Sequence, residues 1–295
     1  MQSRLDRWMA PFEGTRDPHA IAIVRIALFA GLLLHFAPSL LWLDIGYGRG
    51  AIRIDSWNHW LFTQLWKVPP GVVRALSIVT LLACVAGLVG LRPRIAAIVA
   101  GLGCYTFASW NAIHLQTLAL VPAWAMLLLW AICGGGSAVL SVDARLGARQ
   151  DREPALLGSL ILFQILLAVW FSGVEKLIAG WPLSNEMGIV LAYPEGFIVR
   201  DWVTALPVLH GPVVSNALSW LTVAVELGAP ILLLFRRTRM IAFVVYELFF
   251  LGIVAMLEVP PLFYFIFASV PLLALDDDQL ATLRRVASPR RRGRR

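Results

Sequence analysis

The sequence of 295 residues is 59% hydrophobic and only 15% charged, and its mean hydropathy is +0.75. This composition excludes a soluble globular domain, in which about a quarter of the residues are charged. The net charge of +7 comes from 25 basic and 18 acidic residues, and only two of the basic residues, Lys67 and Lys176, are lysines. Because a membrane-spanning helix needs about 20 apolar residues, we expect an integral membrane protein with little room for a soluble domain.

Eight apolar runs separated by short polar loops are predicted to span the membrane. They cover residues 19–43, 70–91, 94–113, 117–139, 155–174, 212–235, 240–257 and 261–275. The predicted fold is therefore all-α, a polytopic membrane helix bundle of about eight transmembrane helices. Residues 1–18 are interpreted as a cytoplasmic tail, 19–275 as the membrane domain and 276–295 as a basic cytoplasmic tail.

The basic residues indicate how the chain is oriented. With the N-terminus in the cytoplasm, 18 of them fall inside and six outside, while Arg25 lies within a span. This asymmetry follows the positive-inside rule and predicts a multi-pass protein of the cell membrane with both termini cytoplasmic. The strong preference for arginine suggests a bacterial source with a GC-rich genome, and hence the inner membrane.

Two long segments, 44–69 and 175–211, then lie outside. They are rich in Trp, Pro and Gly, so we expect interfacial or re-entrant backbone, the second directly after the fifth span. At the other end, Asp276–Asp278 is expected to cap a short interfacial helix at 279–286. The arginines that follow are interpreted as a topology signal or a contact with anionic lipid, and nucleic acid is not expected as a partner.

Ionisable side chains at membrane depth are costly and are therefore functional candidates. They are Arg25, His35, His114, Glu175, Lys176, Glu226 and Glu247, with Glu258 at a loop edge. Arg25 lies barely two turns into its span and is expected to snorkel to the interface. Three cysteines, Cys84, Cys104 and Cys133, lie in apolar spans without metal-ligand spacing, which favours small packing residues and no metal site.

Lys176 follows a long apolar run and precedes Trp181 and Pro182. A desolvated lysine amine can lose its proton, whereas an arginine guanidinium stays charged. A lysine here, in a chain that otherwise uses arginine, indicates a deprotonable amine. The alternative is a lysine that snorkels outward or pairs with Glu175 or Glu226, and the residues alone slightly favour it.

Other polar groups carry the same ambiguity. Glu226, mid-span before Pro230, is compatible with structural pairing or with a proton relay, and Glu247 has less context. In Ser109–His114, the side chains of Asn111 and His114 could bind a polar substrate group or carry a proton, although hydrogen bonds between helices are the better interpretation. Ser141-Val142-Asp143-Ala144 is interpreted as a turn with a capping aspartate.

Taken in order, five segments resemble the membrane domain of vitamin K-dependent γ-glutamyl carboxylases and the related bacterial HTTM (horizontally transferred transmembrane) proteins. They are similar to the family's segments in residues and spacing across nearly the whole chain. The first is Asp17-Pro18 with Arg25–Leu28 and Gly31–Leu34, the second is Ser109-Trp110-Asn111, and the third is Ser141-Val142-Asp143. The fourth runs from Gln164 through Gly173–Leu177 to Trp181, and the fifth is Glu226 with the turn Arg236–Arg239.

The resemblance implies a catalytic role for Lys176, as the base that deprotonates a reduced vitamin K or menaquinol-type quinone, with His114 as a second catalytic residue. Oxygen and CO2 would be co-substrates, in carboxylase or epoxidase chemistry. An outward-opening cavity would be lined by Trp110, Asn111, Gln164, Glu175, Trp181, Glu226 and Glu247. Membrane lipid, quinone and a secreted peptide or protein would be the partners.

Departures from the family pattern keep a second hypothesis open. His114 lies three residues after Asn111 rather than two, and the large extracytoplasmic domain of the carboxylases has no counterpart in these 295 residues. The alternative function is therefore non-enzymatic: an accessory factor for export or maturation of a secreted peptide, or a carrier of lipid or a small molecule. An ion-coupled transporter is less favoured, because no inverted repeat is visible.

Overall fold

The computed structural model describes residues 14–41, 69–110, 120–148, 150–192 and 199–287, and the chain divides into two compact units. The first unit contains residues up to Ile165 together with Glu258–Ser269, and the second contains Leu166–Leu257 and the residues from Val270 onward. Both are built almost entirely from helices, which confirms the all-α prediction. The exception is one pair of two-residue strands in the first unit.

The α-helices of the first unit are α1 (Pro18–Leu41), α2 (Pro70–Val89), α3 (Pro93–Trp110), α4 (Leu120–Cys133), the beginning of α5 (Ala155–Ile178) and α12 (Pro261–Ser269), and a π-helical turn covers Ala144–Ala148. Helix α1 packs against α2 and α12, and α3 packs against α2 and α4. Strands β1 (Thr15–Arg16) and β2 (Glu153–Pro154) pair antiparallel and tie the start of α1 to the start of α5.

The second unit contains the end of α5 and the helices α6 (Trp181–Ser184), α7 (Glu186–Ala192), α8 (Asp201–Thr204), α9 (Pro207–His210), α10 (Pro212–Leu234), α11 (Arg239–Met256) and α13 (Asp277–Ala287), with a 3₁₀ turn at Val270–Ala274. Helix α10 is its centre and contacts α6, α7, α9, α11 and the 3₁₀ turn. The capping prediction at α13 is confirmed for Asp276, because its carboxylate accepts the Gln279 N–H at 3.0 Å and the Gln279 side chain accepts the Asp276 N–H. The helix begins at Asp277, two residues before the predicted start, so Asp277 and Asp278 lie in its first turn.

In the described part of the chain, five helices are long and apolar enough to cross a membrane. They are Pro18–Pro38, Gly71–Val89, Ala155–Ile178, Pro212–Leu234 and Arg239–Met256. Three further apolar helical stretches, Pro93–Phe107, Val121–Cys133 and Pro261–Ala274, fall within predicted spans but have only 10 to 17 residues. Large aliphatic side chains remain exposed along these helices, for example Leu82 on α2 and Leu251 on α11, as lipid contact requires.

The expectation that Arg25 snorkels to the interface is wrong. Its side chain is fully buried in the first unit, and its Nη2 donates a hydrogen bond to the Leu140 carbonyl at 2.6 Å. The guanidinium has room because Gly90, which ends α2 in the left-handed conformation at φ 70°, carries no side chain there. Arg25 therefore ties α1 to the loop after α4 from inside the unit.

The turn at Ser141 also differs in detail from its prediction. The Ser141 hydroxyl, not the Asp143 carboxylate, accepts the backbone N–H of Ala144. Asp143 instead accepts the N–H of Arg92 just before α3, at 2.9 Å. Of the three cysteines, Cys84 and Cys104 are buried as predicted, while Cys133 is half-buried.

Candidate functional site

The side chains of Lys176 and Glu226 meet in the second unit. The Lys176 Nζ donates to both carboxylate oxygens of Glu226, at 2.8 Å to Oε1 and 2.7 Å to Oε2, and to the Ser172 hydroxyl at 2.6 Å. An ammonium has three N–H donors, so this arrangement uses all of them. The two side chains are 19% and 10% exposed, respectively, which makes the pair largely desolvated.

Local structure explains why these groups meet. Helix α5 continues past its apolar run to Ile178, so that Lys176 stands in its last turn, one turn after Ser172. Gly173 lies against α10, where an added Cβ would come within 3.0 Å of the Glu226 Cβ. The absence of a side chain at Gly173 allows α5 and α10 to approach closely enough for the ion pair to form.

Trp181 completes the surroundings of the amine. It begins α6, directly after the two-residue turn that follows α5, and its ring centroid lies 5.5 Å from the Lys176 Nζ. This distance is within the range of a cation–π interaction. The amine is thus bounded by a carboxylate, a hydroxyl and an aromatic face.

An apolar cavity of about 170 Å³ lies in the same unit between α7, α10 and α11. Thr222 lines it one helical turn before Glu226, with Leu218, Phe249 and Met256 among the apolar walls. Residues four apart on a helix share a face, so the cavity and the ion pair lie on neighbouring turns of α10. Since a cavity of about 150 Å³ holds benzene, there is room here for a single ring.

The remaining predicted residues are distributed more widely. Glu175 is exposed and lies next to the amine only in sequence. Glu247, on α11, is partly buried, and its Oε1 has no hydrogen-bond partner among the described residues. Gln164 falls in the first unit, where its Nε2 donates to the Pro122 carbonyl at 3.1 Å.

Three predicted residues are not tested by this geometry. Asn111 and His114 lie outside the described residues, and Trp110 is described only as the last residue of α3. The sequence interpretation, in turn, missed Ser172 as a contact of Lys176. The signal was available, because residues at i and i+4 face the same way on a helix.

The arrangement allows proton transfer between an amine and a carboxylate in a desolvated setting. It also fits the polar end of a flat aromatic alcohol, because an amine–carboxylate pair can exchange a hydroxyl proton and the Trp181 indole offers a stacking face. Within the described residues, no group of three or more His, Cys, Asp or Glu side chains could hold a metal ion.

Comparison with known proteins gives one match. A family model described as "HTTM domain" covers residues 14–277, which is most of the chain and includes both units. No curated protein and no solved structure matches the sequence.

Proposed function

The chain belongs to the HTTM family, whose domain is the transmembrane domain of vitamin K-dependent carboxylase, and we propose that it is a membrane protein that moves a proton between a reduced quinone and the Lys176–Glu226 pair. The observation that carries the proposal is the desolvated contact of this amine with a carboxylate, a hydroxyl and an indole. The five long apolar helices support its membrane setting.

The proposal includes the topology. All eight apolar segments cross the membrane, and both termini are cytoplasmic in the inner membrane of a bacterium. Segment 175–211 then forms the outward interfacial or re-entrant part. The inward loops and the two terminal tails together carry 18 of the 25 basic residues, which supports this orientation.

The pair explains how Lys176 becomes a base. When the Lys176 amine is protonated, it is an ammonium, and its nitrogen has no lone pair that could accept a proton. Movement of one proton from Nζ to a Glu226 oxygen gives a neutral amine and a neutral acid, a state that desolvation favours relative to two separated charges. The amine lone pair then accepts a proton from a hydroxyl group, while Ser172 keeps the nitrogen in position.

When bound, a hydroquinone would supply the acidic hydroxyl and, with oxygen, the oxidative chemistry of the carboxylase class. Lys176 and Glu226 would hold the hydroxyl end, and the indole of Trp181 would face the ring. The apolar cavity beside Thr222, with room for one ring of the ligand, supports the choice of a flat apolar molecule. His114 remains a proposed second catalytic residue and Asn111 a proposed ligand contact, as the resemblance to the family implies.

The test uses the full chain reconstituted in liposomes with reduced naphthoquinone, oxygen, labelled bicarbonate and a glutamate-containing peptide. Lys176→Arg keeps a cation beside Glu226 but cannot supply a neutral amine at ordinary pH. We expect epoxide formation in wild type and its loss in the variant, with Arg236→Lys as the matched control for exchanging the two cations. Full activity in Lys176→Arg, or no product with wild type, would contradict the enzymatic proposal.

One observation favours a second function. All three donors of Lys176 are already used by Ser172 and Glu226, which is also the pattern of a purely structural ion pair. In this alternative the protein is a non-enzymatic accessory factor for a secreted peptide, or a carrier that binds its ligand in the apolar cavity. Equal quinone binding by wild type and Lys176→Arg, without turnover by either, would favour this alternative.

A further inference from the structure

The first unit contains a cavity of about 610 Å³ that the proposed function does not use. It lies between the beginning of α1, at His19, the end of α2, at Val89, and residues 138–142, 144 and 145 after α4. Its volume falls in the range of about 300–1,000 Å³ that is typical of small-molecule sites. Because it lies at the ends of two membrane-spanning helices, it is at the depth where lipid headgroups reside.

The ionisable side chains that line the cavity are basic. Arg145 and His19 line it, no carboxylate side chain of the described residues does, and the other walls are mostly aliphatic. Arg145 is exposed and makes no ion pair or hydrogen bond within the described part of the chain. Its cation is therefore available to a ligand, whereas His19 is held by Asp17 at 2.8 Å.

The wall of the cavity is held from behind. Arg25 fixes the carbonyl of Leu140, and the buried carboxylate of Glu153 accepts the backbone N–H groups of Gly136 and Ala138 at 3.1 and 2.9 Å. The Glu153 carboxylate is therefore hydrogen-bonded to the loop backbone and forms no ion pair with Arg145. The loop is thus a shaped wall, and ligand binding would not have to order it.

The mouth of the cavity is apolar. Val89 and Leu140, which line the cavity, are 42% and 56% exposed, and Leu146, the residue after Arg145, is 76% exposed. A ligand that fits this surface has an anionic head and an aliphatic body. Basic pockets between transmembrane helices are known to bind anionic lipid headgroups, which makes a membrane phospholipid the natural occupant.

We propose that this cavity, bounded by His19, Val89, the loop 138–142, Ala144 and Arg145, binds the phosphate head of an anionic phospholipid. The aliphatic chains lie against the exposed side chains of Leu140 and Leu146. The site is independent of Lys176 and of any quinone chemistry, because every residue that forms it belongs to the first unit.

The test measures thermal unfolding of the purified, delipidated full chain in detergent after addition of phosphatidylglycerol, phosphatidylcholine or inorganic phosphate. A ligand that binds the folded state raises the midpoint in proportion to its affinity. We expect phosphatidylglycerol to raise it and the other two to have little effect. Equal stabilisation by phosphatidylcholine would overturn the requirement for an anionic head, and equal stabilisation by inorganic phosphate would overturn the assignment to a lipid.

Variants localise the effect. Arg145→Gln should weaken phosphatidylglycerol binding about fivefold, the effect of one near-surface charge, while Arg145→Lys should retain it. Ala144→Phe fills the cavity without changing charge and should also weaken binding. Arg236→Gln, in the second unit, is the matched control for loss of an exposed arginine. Unchanged phosphatidylglycerol affinity in both Arg145→Gln and Ala144→Phe would refute the site.

Discussion

Replacing Glu226 by leucine should destabilise the protein strongly, because it leaves a desolvated ammonium without a counterion. Two of the three acceptors of the Lys176 Nζ belong to Glu226, and the remaining one is the Ser172 hydroxyl. Breaking a buried pair by removing one partner costs about 3–5 kcal/mol. We expect about 3 kcal/mol, the lower end, since the Lys176 side chain is still 19% exposed.

Removing both charges should reverse most of this loss. In Lys176→Met with Glu226→Leu, side chains of similar length occupy the same space and no charge is left unpaired, so the free energy of unfolding should return to within about 1 kcal/mol of wild type. The assay is equilibrium unfolding in mixed detergent micelles, monitored by tryptophan fluorescence. Both single variants and the double variant form one double-mutant cycle.

Arg236→Met is the control for this cycle. Arg236 pairs with Asp276 at 3.1 Å but is 76% exposed, so its removal should cost less than about 1 kcal/mol. If Glu226→Leu costs no more than Arg236→Met, the Lys176–Glu226 pair is not desolvated, and the mechanism proposed for generating a neutral amine loses its basis. A double variant as unstable as Glu226→Leu alone would refute the charge argument in favour of a packing effect.

Three further substitutions test the packing around both units, each by the change in the free energy of unfolding. Gly173→Ala should cost about 1–3 kcal/mol, because the new Cβ would lie 3.0 Å from the Glu226 Cβ; a neutral effect would mean that α5 and α10 are less close. Glu153→Ala should cost about 1–3 kcal/mol, since the N–H groups of Gly136 and Ala138 lose their acceptors, and Glu153→Gln should retain part of that stability. Gly90→Ala should cost at least about 1 kcal/mol, because residue 90 has left-handed backbone angles and the new Cβ would overlap the Arg25 guanidinium. Gly252→Ala is its control, because a Cβ at residue 252 would meet open space.

The sequence predicts the helices well because their signal is local. Apolar runs of span length and short polar breaks correspond to helices such as α2 and α10, whose ends lie within a few residues of the predicted 70–91 and 212–235. The fifth run was predicted to end at residue 174, but α5 continues to Ile178. The hydropathy falls at Glu175, but the helix continues beyond it. Lys176 therefore lies on the helix, one turn after Ser172 and on the same face.

Contacts between helices were less accessible to prediction. The sequence allows Lys176 to pair with Glu175 or Glu226. The pairing with Glu226 depends on the approach of α10 at Gly173, which no local pattern specifies. The burial of Arg25 was also not predictable from the local sequence. Its position near a helix end predicted exposure, but the loop carbonyl of Leu140 and the open space at Gly90 allow it to be buried.

Substitutions at Lys176 and Glu226 can distinguish a structural ion pair from a pair that transfers a proton. A structural pair requires only a cation beside the carboxylate, and arginine supplies one. A catalytic pair requires that the nitrogen give its proton to Glu226 and then accept another, which a guanidinium cannot do. Glu226→Gln distinguishes the same two roles from the other side, since the amide still accepts a hydrogen bond from Nζ but cannot take its proton. If both Lys176→Arg and Glu226→Gln fold normally and each loses turnover, the pair functions in proton transfer and not as a structural ion pair.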